Sequence, residues 1–214
     1  MEPMGPIDYW TVKNKGAVEV VRRKSRFIGR AQHIQSQCAF EQLLDAQRNA
    51  YPNAGHHVFA YRLGVEVPNE RCSDDGEPSG TAGQPLLHLL KENELVNVAI
   101  IVSRIFGGTL LGTGGLARAY TQAGRRALEE AVPERRILHQ KFVLQIPYSV
   151  WGPLEYGFHQ RRLFVEDIEY RDHISITLWV PMTNVTAFEK WIAESTSGQI
   201  APDRKEQAYL SRTN

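Results

Sequence analysis

Two glycine-rich segments carry the side chains of this chain that are best suited to chemistry. The first, residues 73–83, places three carboxylates close together, those of Asp74, Asp75 and Glu77. The second, residues 104–116, holds five glycines and leads into a segment of helical periodicity. Clustered carboxylates can supply oxygen ligands to Mg²⁺, and glycine lets backbone approach another group closely. The chemistry to consider is therefore the binding or transfer of a phosphate group.

The second segment joins an apolar strand to the start of a long predicted helix. The free backbone N–H groups and the dipole at a helix N-terminus favour an anion. Arg104 near the end of the strand and Arg118 in the first turns of the helix are predicted to flank one pocket and to bind phosphate. Surface salt bridges are the alternative role for both arginines.

The predicted anion or nucleic-acid site combines basic side chains, glycines and one tyrosine. Its members are Lys24, Arg26, Arg104, Gly107, Gly108, Gly112, Gly114, Gly115, Arg118 and Tyr120. The acidic turn is a second candidate set: Asp74, Asp75, Glu77, Gly80, Thr81 and Gly83. His57 is a further candidate for the groove, since neighbouring residues on a strand face opposite sides and only one of His56 and His57 can reach it.

Complete phosphate-binding and catalytic motifs are not found. Residues 112–117 fit a G-x-G-x-x-A string, yet the first glycine lies too far from the strand for a dinucleotide fingerprint. A Walker A loop requires Lys and Ser or Thr where Leu116 and Ala117 stand. Tight turns are an equally good explanation of the glycines, and a capped turn explains the acidic residues better than a metal site. No catalytic residue, metal ligand or cofactor is assigned, and a non-enzymatic protein is favoured over an enzyme.

The composition is that of a globular protein without a membrane partner. The 214 residues are 42% hydrophobic and 23% charged, which suits one large domain or two small ones. A net charge of +1 argues against coating nucleic acid by bulk electrostatics, although residues 13–30 form a local basic patch. Apolar runs far shorter than about 20 residues, the two cysteines and the lack of a signal-peptide pattern favour the cytoplasm. The sequence does not specify an oligomeric state.

Periodicity predicts an α+β chain of two domains, residues 1–135 and 136–214, with Pro133 to Arg136 as the linker. The predicted N-terminal elements are an antiparallel strand pair within 18–34, a helix capped by Ser36, a strand over 56–63, a helix from Pro85, a central strand over 97–105 and a helix over 114–132. The predicted C-terminal elements are strand 141–148, helix 150–163, strands 164–170 and 174–180, helix 184–194 and a strand within 198–210. That β-α-β-β-α-β order is ferredoxin-like.

The chain closely resembles the YigZ/IMPACT family. The resemblance is carried by both glycine-rich segments, by Lys24-Ser25-Arg26-Phe27-Ile28, and by Gly115-Leu116-Ala117-Arg118-Ala119-Tyr120. It extends from about residue 17 to residue 128, and the remainder is similar to the second domain of the bacterial members.

The resemblance implies a specific fold for each domain. The N-terminal domain is expected to have the left-handed βαβ fold shared by a small-subunit ribosomal protein and the GHMP kinases. The C-terminal domain is expected to be ferredoxin-like, similar to the fifth domain of elongation factor G. Family members have no established catalytic residues. Eukaryotic members regulate translation through a stress-kinase pathway that bacteria lack, so that role does not transfer intact.

The function favoured by the sequence is a non-enzymatic RNA- or ribosome-associated protein, linked to the regulation of translation, that binds a phosphate-like anion in its N-terminal domain. Two alternatives stay open. The first is a phosphoryl-transfer or phosphate-ester enzyme that uses the glycine-rich loop and holds Mg²⁺ at the acidic turn. The second is a protein-docking module in which both loops are purely structural.

Overall fold

The computed structural model describes residues 5–211, and these form two compact α+β units. One unit comprises Tyr9–Arg135, and the other comprises residues 136–211 together with residues 5–8. The expected α+β class with two domains is confirmed. No helix within the described part of the chain is long and apolar enough to cross a membrane.

Residues 5–211 form ten strands and five α-helices. The strands are β1 (Asp8–Val12), β2 (Gly16–Arg22), β3 (Ser25–His33), β4 (His56–Leu63), β5 (Asn69–Ser73), β6 (Val98–Ile105), β7 (Pro133–Ile146), β8 (Phe164–Tyr170), β9 (Ile174–Pro181) and β10 (Asp203–Ser211). The helices are α1 (Gln37–Ala50), α2 (Gly83–Glu92), α3 (Thr113–Ala131), α4 (Tyr148–Gln160) and α5 (Val185–Ser195), with a 3₁₀ turn at Met182–Asn184.

The sheet of the first unit has the strand order β2-β3-β6-β4-β5, and every neighbouring pair is antiparallel. The apolar strand β6 lies at its centre, as its continuous hydrophobic run predicts, because helices cover both of its faces. Alternate residues such as Ile100 and Val102 join the core beneath α2 and α3, whereas Ala99 and Ile101 join the core beneath α1. Strand alternation therefore decides which helix each side chain of β6 meets.

Most predicted elements of this unit are present, and two strands are additional. The Ser36 side chain accepts a hydrogen bond from the backbone N–H of Ala39, so the predicted N-cap of α1 is confirmed. Helix α2 starts two residues before the predicted Pro85. Strands β1 and β5 are not predicted from the sequence, because both are short and β5 is mostly polar.

The sheet of the second unit contains the order β10-β7-β9-β8, which is the ferredoxin-like arrangement, and this prediction is confirmed. Helices α4 and α5 cover the sheet through an apolar core in which Phe142, Leu154 and Phe188 are buried. On α4, Leu154 and Phe158 are buried and Trp151 is half-buried.

The predicted linker Pro133 to Arg136 contains the boundary between the two units, which falls after Arg135, but it is not a loop, because these residues begin the 14-residue strand β7. Proline is tolerated as the first residue of a strand, where no ladder donor is needed. Arg136 pairs with Ser211 of β10, which lies 75 positions further along the chain. A local reading of polar and proline residues does not detect a partner so far away.

Close backbone packing joins β2 to α3. A Cβ on Gly16 would overlap the carbonyl oxygen of Ala127 and come within 2.7 Å of the amide nitrogen of Ala131. Backbone atoms of a helix cannot yield as a flexible side-chain end can. Glycine at residue 16 therefore sets how closely the long helix approaches the sheet.

Replacing Gly16 by Ala is expected to destabilise the protein by about 2–3 kcal/mol, because the added methyl overpacks this contact. Urea denaturation of the full chain measures the change. Gly55→Ala is the matched control: a Cβ there meets nothing within 4 Å, so its effect is expected to stay within about 0.5 kcal/mol. Equal stability of the two variants would contradict the packing account.

Candidate functional site

The hairpin between β2 and β3 and the second glycine-rich segment are fastened together. A Cβ on Gly107 would overlap the backbone carbonyl group of Lys24, so only glycine permits this approach. The backbone N–H of Gly107 donates to Ser25 Oγ at 3.1 Å, and Arg23 Nη1 donates to the carbonyl oxygen of Leu110 at 3.2 Å. These contacts bring residues more than 80 positions apart in the chain into one surface.

The turn of that hairpin has an uncommon backbone. Arg23 and Lys24 both have positive φ angles, 44° and 66°. A two-residue hairpin turn of this kind favours Asn and Gly, because other side chains are strained in the left-handed region. The turn instead carries two exposed basic side chains.

The N-terminus of α3 opens beside this hairpin. Gly112, at φ 71°, precedes the helix, no side chain caps the first turn, and no acidic residue lies in it. A Cβ on Gly114 would meet nothing within 4 Å, so the backbone there is open to an approaching group. The end of this 19-residue helix therefore presents partly positive, uncapped N–H groups.

A concave surface of about 430 Å³ lies between the hairpin and the first turns of α3, and we call it the arginine groove. Its lining includes the guanidinium-bearing residues Arg22, Arg23 and Arg118, together with Gly115 and Gln122. Arg22 donates two hydrogen bonds to Gln122 Oε1, at 2.6 and 3.0 Å. Gln122 is neutral, as is the carbonyl group that Arg23 contacts. Within residues 5–211, none of the three arginines is paired with a carboxylate.

The three carboxylates of the acidic turn have different structural roles. Asp74 accepts hydrogen bonds from the backbone N–H groups of Gly80, Ala82 and Gly83, at 2.8–3.0 Å, and so organises the start of α2. Burial of Asp74 works to raise its pKa, but these three donors outweigh burial and lower the pKa below its ordinary value.

Asp75 and the two neighbouring histidines connect the acidic turn to β4. The Asp75 carboxylate accepts from the backbone N–H of His57 at 2.6 Å, and its carbonyl oxygen lies 2.8 Å from His56 Nδ1. The structure places His56, rather than His57, on the side of the acidic turn. His57 points to the opposite face of the sheet, where its Nδ1 lies 2.8 Å from Ser103 Oγ, and burial lowers its pKa.

Glu77 is the centre of a buried polar cluster. Its carboxylate accepts two contacts from Arg104 Nη1, at 2.7 and 3.0 Å, and one from Tyr120 OH at 2.8 Å. Burial, and then the carboxylate of Glu77, raise the pKa of the Tyr120 hydroxyl. The Arg104 guanidinium lies 5.6 Å from the ring centre of Phe27 and 5.4 Å from that of Phe106. This cluster ties β6, the acidic turn and α3 together.

Arg104 and Arg118, which the sequence predicts to flank one pocket, lie in different environments. Arg104 is buried against Glu77, whereas Arg118 is exposed and lines the arginine groove. Of the other predicted anion-site residues, Lys24 lies at the hairpin tip and Arg26 forms an exposed ion pair with Glu19 at 2.7 Å.

Several functional candidates are missed by sequence reasoning. Arg22, Arg23 and Gln122 line the arginine groove, and the sequence does not assign them to it. The basic patch in residues 13–30 was the available signal for the two arginines. It did not show that the hairpin meets the start of α3, about ninety positions later.

The remaining acidic-turn residues are structural in their contacts. Gly80, at φ 74°, and Gly83, whose Cβ would lie 2.8 Å from the backbone of Ser73, have conformations or packing that suit glycine. The hydroxyl of Thr81 donates to the carbonyl oxygen of Pro78 at 2.6 Å. In the part of the chain that the structure describes, no group of three or more His, Cys, Asp or Glu residues is arranged to hold a metal ion.

Comparison with known proteins matches both units to described families. Residues 23–128 match the Impact N-terminal domain, and residues 144–199 match a domain of unknown function, DUF1949. The chain is 31% identical to the IMPACT family member YvyE of Bacillus subtilis, over 95% of this chain and 94% of the relative. It is 30% identical to the IMPACT family member YigZ of Escherichia coli, over 83% of this chain and 88% of the relative.

A solved structure supports the same assignment. A crystal structure described as a hypothetical protein aligns with a TM-score of 0.61 and 28% identity, covering 94% of this chain and 98% of that one. An Impact N-terminal domain followed by a ferredoxin-like domain defines a class of two-domain proteins. The chain belongs to the IMPACT family.

Glu77→Gln is expected to lower the free energy of unfolding by about 3–5 kcal/mol, because it leaves the Arg104 charge buried without its counter-ion. Urea denaturation measures this, with the exposed Glu130→Gln as control, expected within about 0.5 kcal/mol. Adding Arg104→Met to Glu77→Gln is expected to recover part of the loss. A loss below about 1 kcal/mol in the single variant would show that the ion pair is not a structural centre.

Asp74→Asn is expected to cost about 1 kcal/mol at pH 7, the typical effect of a lost cap. The folded-state pKa of Asp74 is below its ordinary value of 3.8, so the carboxylate stabilises the fold fully above pH 3.8. That stabilisation is lost as pH falls through the folded-state pKa. The stability difference between the two proteins should therefore shrink below about pH 4, as urea melts at several pH values would show. A difference that stays constant with pH would refute this role.

Proposed function

We propose that this IMPACT-family chain is a non-enzymatic RNA- or ribosome-associated factor linked to the regulation of translation, which binds phosphate groups in the arginine groove. One observation carries the proposal: three guanidinium groups without carboxylate partners converge on the uncapped start of α3. The resemblance of the N-terminal domain to a small-subunit ribosomal protein, and of the C-terminal domain to the fifth domain of elongation factor G, points the same way, because both of those proteins contact ribosomal RNA.

The distribution of charge favours an external anion at this groove. Several other arginines of the protein are paired with carboxylates, namely Arg104 with Glu77, Arg26 with Glu19 and Arg204 with Glu189. Uncompensated guanidiniums held close together repel one another, and a phosphate relieves that repulsion. Guanidinium binds phosphate through two parallel hydrogen bonds, which adds geometric selectivity to the charge.

The fixed backbone around the groove suits a ligand that is recognised by shape. The loop contacts of Gly107 and Arg23 hold the hairpin beside α3, so the groove needs little rearrangement to accept an anion. Lys24 at the hairpin tip extends the positive surface beyond the groove. A polyanion such as folded RNA would use both features, whereas a single small phosphate would use the groove alone.

The engagement of the acidic turn supports a binding role over phosphoryl transfer. A Mg²⁺-dependent transferase requires carboxylates that are available to a metal beside the phosphate. Asp74 holds three backbone donors, Asp75 holds one, and Glu77 holds Arg104 and Tyr120. Each carboxylate would have to give up protein contacts to serve a metal.

The test is the salt dependence of binding to structured RNA and to ribosomes. We expect association at low ionic strength that weakens as salt rises, because phosphate contacts release counter-ions. In the triple variant Arg22→Gln, Arg23→Gln, Arg118→Gln, the slope of log K against log salt concentration should fall by about 2–3, since each lost contact contributes about 0.7–0.9. Filter binding and ribosome co-sedimentation measure these effects.

The matched control removes the same charge elsewhere, through Arg48→Gln, Arg71→Gln and Arg171→Gln, all at exposed positions. It is expected to retain most of the affinity and the slope. Equal losses in the two triple variants would mean that net charge, not the groove, governs binding. The absence of any salt-dependent association of the natural chain would overturn the proposal.

A further inference from the structure

A second concave site lies in the ferredoxin-like unit, far along the chain from the arginine groove. It is a cavity of about 680 Å³ between α4, the following turn and strands β8 and β9. Its size falls within the range of small-ligand pockets. Its floor and walls are apolar, formed by Trp151, Phe158, Leu163, Phe164, Val165, Ile168 and Ile176.

The walls of this cavity are incompletely covered by the protein itself. Trp151, Leu163, Val165 and Ile168 pack against the core of the unit but stay partly exposed, and Phe164 is exposed to 42%. Strand β8 is at the edge of its sheet, and its register shifts between Val165 and Asp167. Apolar side chains grouped around a concavity are a hydrophobic site that a ligand can complete.

The remaining lining residues give the cavity a rim of both charges. Glu155 and His159 lie one turn apart on α4, and Arg162 follows the end of that helix with a φ of 50°. Across residues 5–211, the side chains of these three residues make neither an ion pair nor a hydrogen bond with the protein. A rim with one free carboxylate and one free guanidinium is matched to a ligand that carries both an ammonium and a carboxylate.

We propose that this cavity binds a small amphipathic zwitterion with an apolar body, of the class of an aromatic α-amino acid. The apolar side chain enters between Phe158 and Ile168. The ligand carboxylate pairs with Arg162, and its ammonium pairs with Glu155. This site is independent of the arginine groove, so its existence does not depend on the function proposed there.

The test uses three probes that share one indole body and differ in charge: L-tryptophan, tryptamine without the carboxylate, and indole-3-propionate without the ammonium. Two-dimensional amide NMR of the full chain follows the resonances of α4 and β8 during titration at millimolar concentration. We expect L-tryptophan to shift these resonances and to bind more tightly than either single-charge probe. Loss of one charge-assisted contact corresponds to about tenfold in affinity.

Variants at the rim assign each charge. Arg162→Gln is expected to weaken L-tryptophan about tenfold and to leave tryptamine unchanged, whereas Glu155→Gln should weaken L-tryptophan and leave indole-3-propionate unchanged. Arg171→Gln, an exposed arginine of the same unit, is the control and should change neither. The proposal is overturned if L-tryptophan perturbs none of these resonances, if the three probes bind equally, or if the rim variants act on all probes alike.

Discussion

The buried pairing of Glu77 with Arg104 and Tyr120 is the interaction on which the N-terminal unit depends. It joins the loop before α2, the central strand β6 and the long helix α3, three segments that share no other buried polar centre of this kind among the residues described. Both charges are almost fully buried, with side-chain exposures of 3% and 7%. Because an unpaired charge there would be costly, the acidic turn and the helix are held in one relative position.

Because the acidic turn and α3 are held in one relative position, the two glycine-rich segments have different roles. The first segment turns its acidic groups inward, toward backbone donors and Arg104, and so becomes part of the scaffold. The second segment closes on the β2–β3 hairpin through Gly107 and opens at Gly112 and Gly114. Charge is consequently balanced in the interior and left unbalanced at one surface, where three arginines face the start of α3.

The fold was more predictable from sequence than the site, for a physical reason. Ferredoxin-like order and the central position of β6 follow from apolar periodicity, which each segment carries locally. The roles of Arg104 and Arg118 depend on partners elsewhere: Glu77 lies 27 positions from Arg104, and Arg22 lies 100 positions from Gln122. Strand alternation places Arg104 on the face of the sheet that α2 and α3 cover. No local sequence pattern shows which carboxylate lies there. The same dependence on distant pairing hid the beginning of β7 at Pro133.

At the hairpin turn formed by Arg23 and Lys24, the residues that would give the least strained backbone are not the residues that carry positive charge. An Asn-Gly pair would occupy these left-handed conformations with less strain, and would make the hairpin easier to form. Such a turn would also lack both positive charges and the Arg23 contact to the loop. Selection for thermal stability alone would therefore favour replacing Arg23 and Lys24, whereas selection for positive charge would keep this strained turn. Directed evolution toward heat tolerance would therefore show whether stability or positive charge determines the residues of this turn.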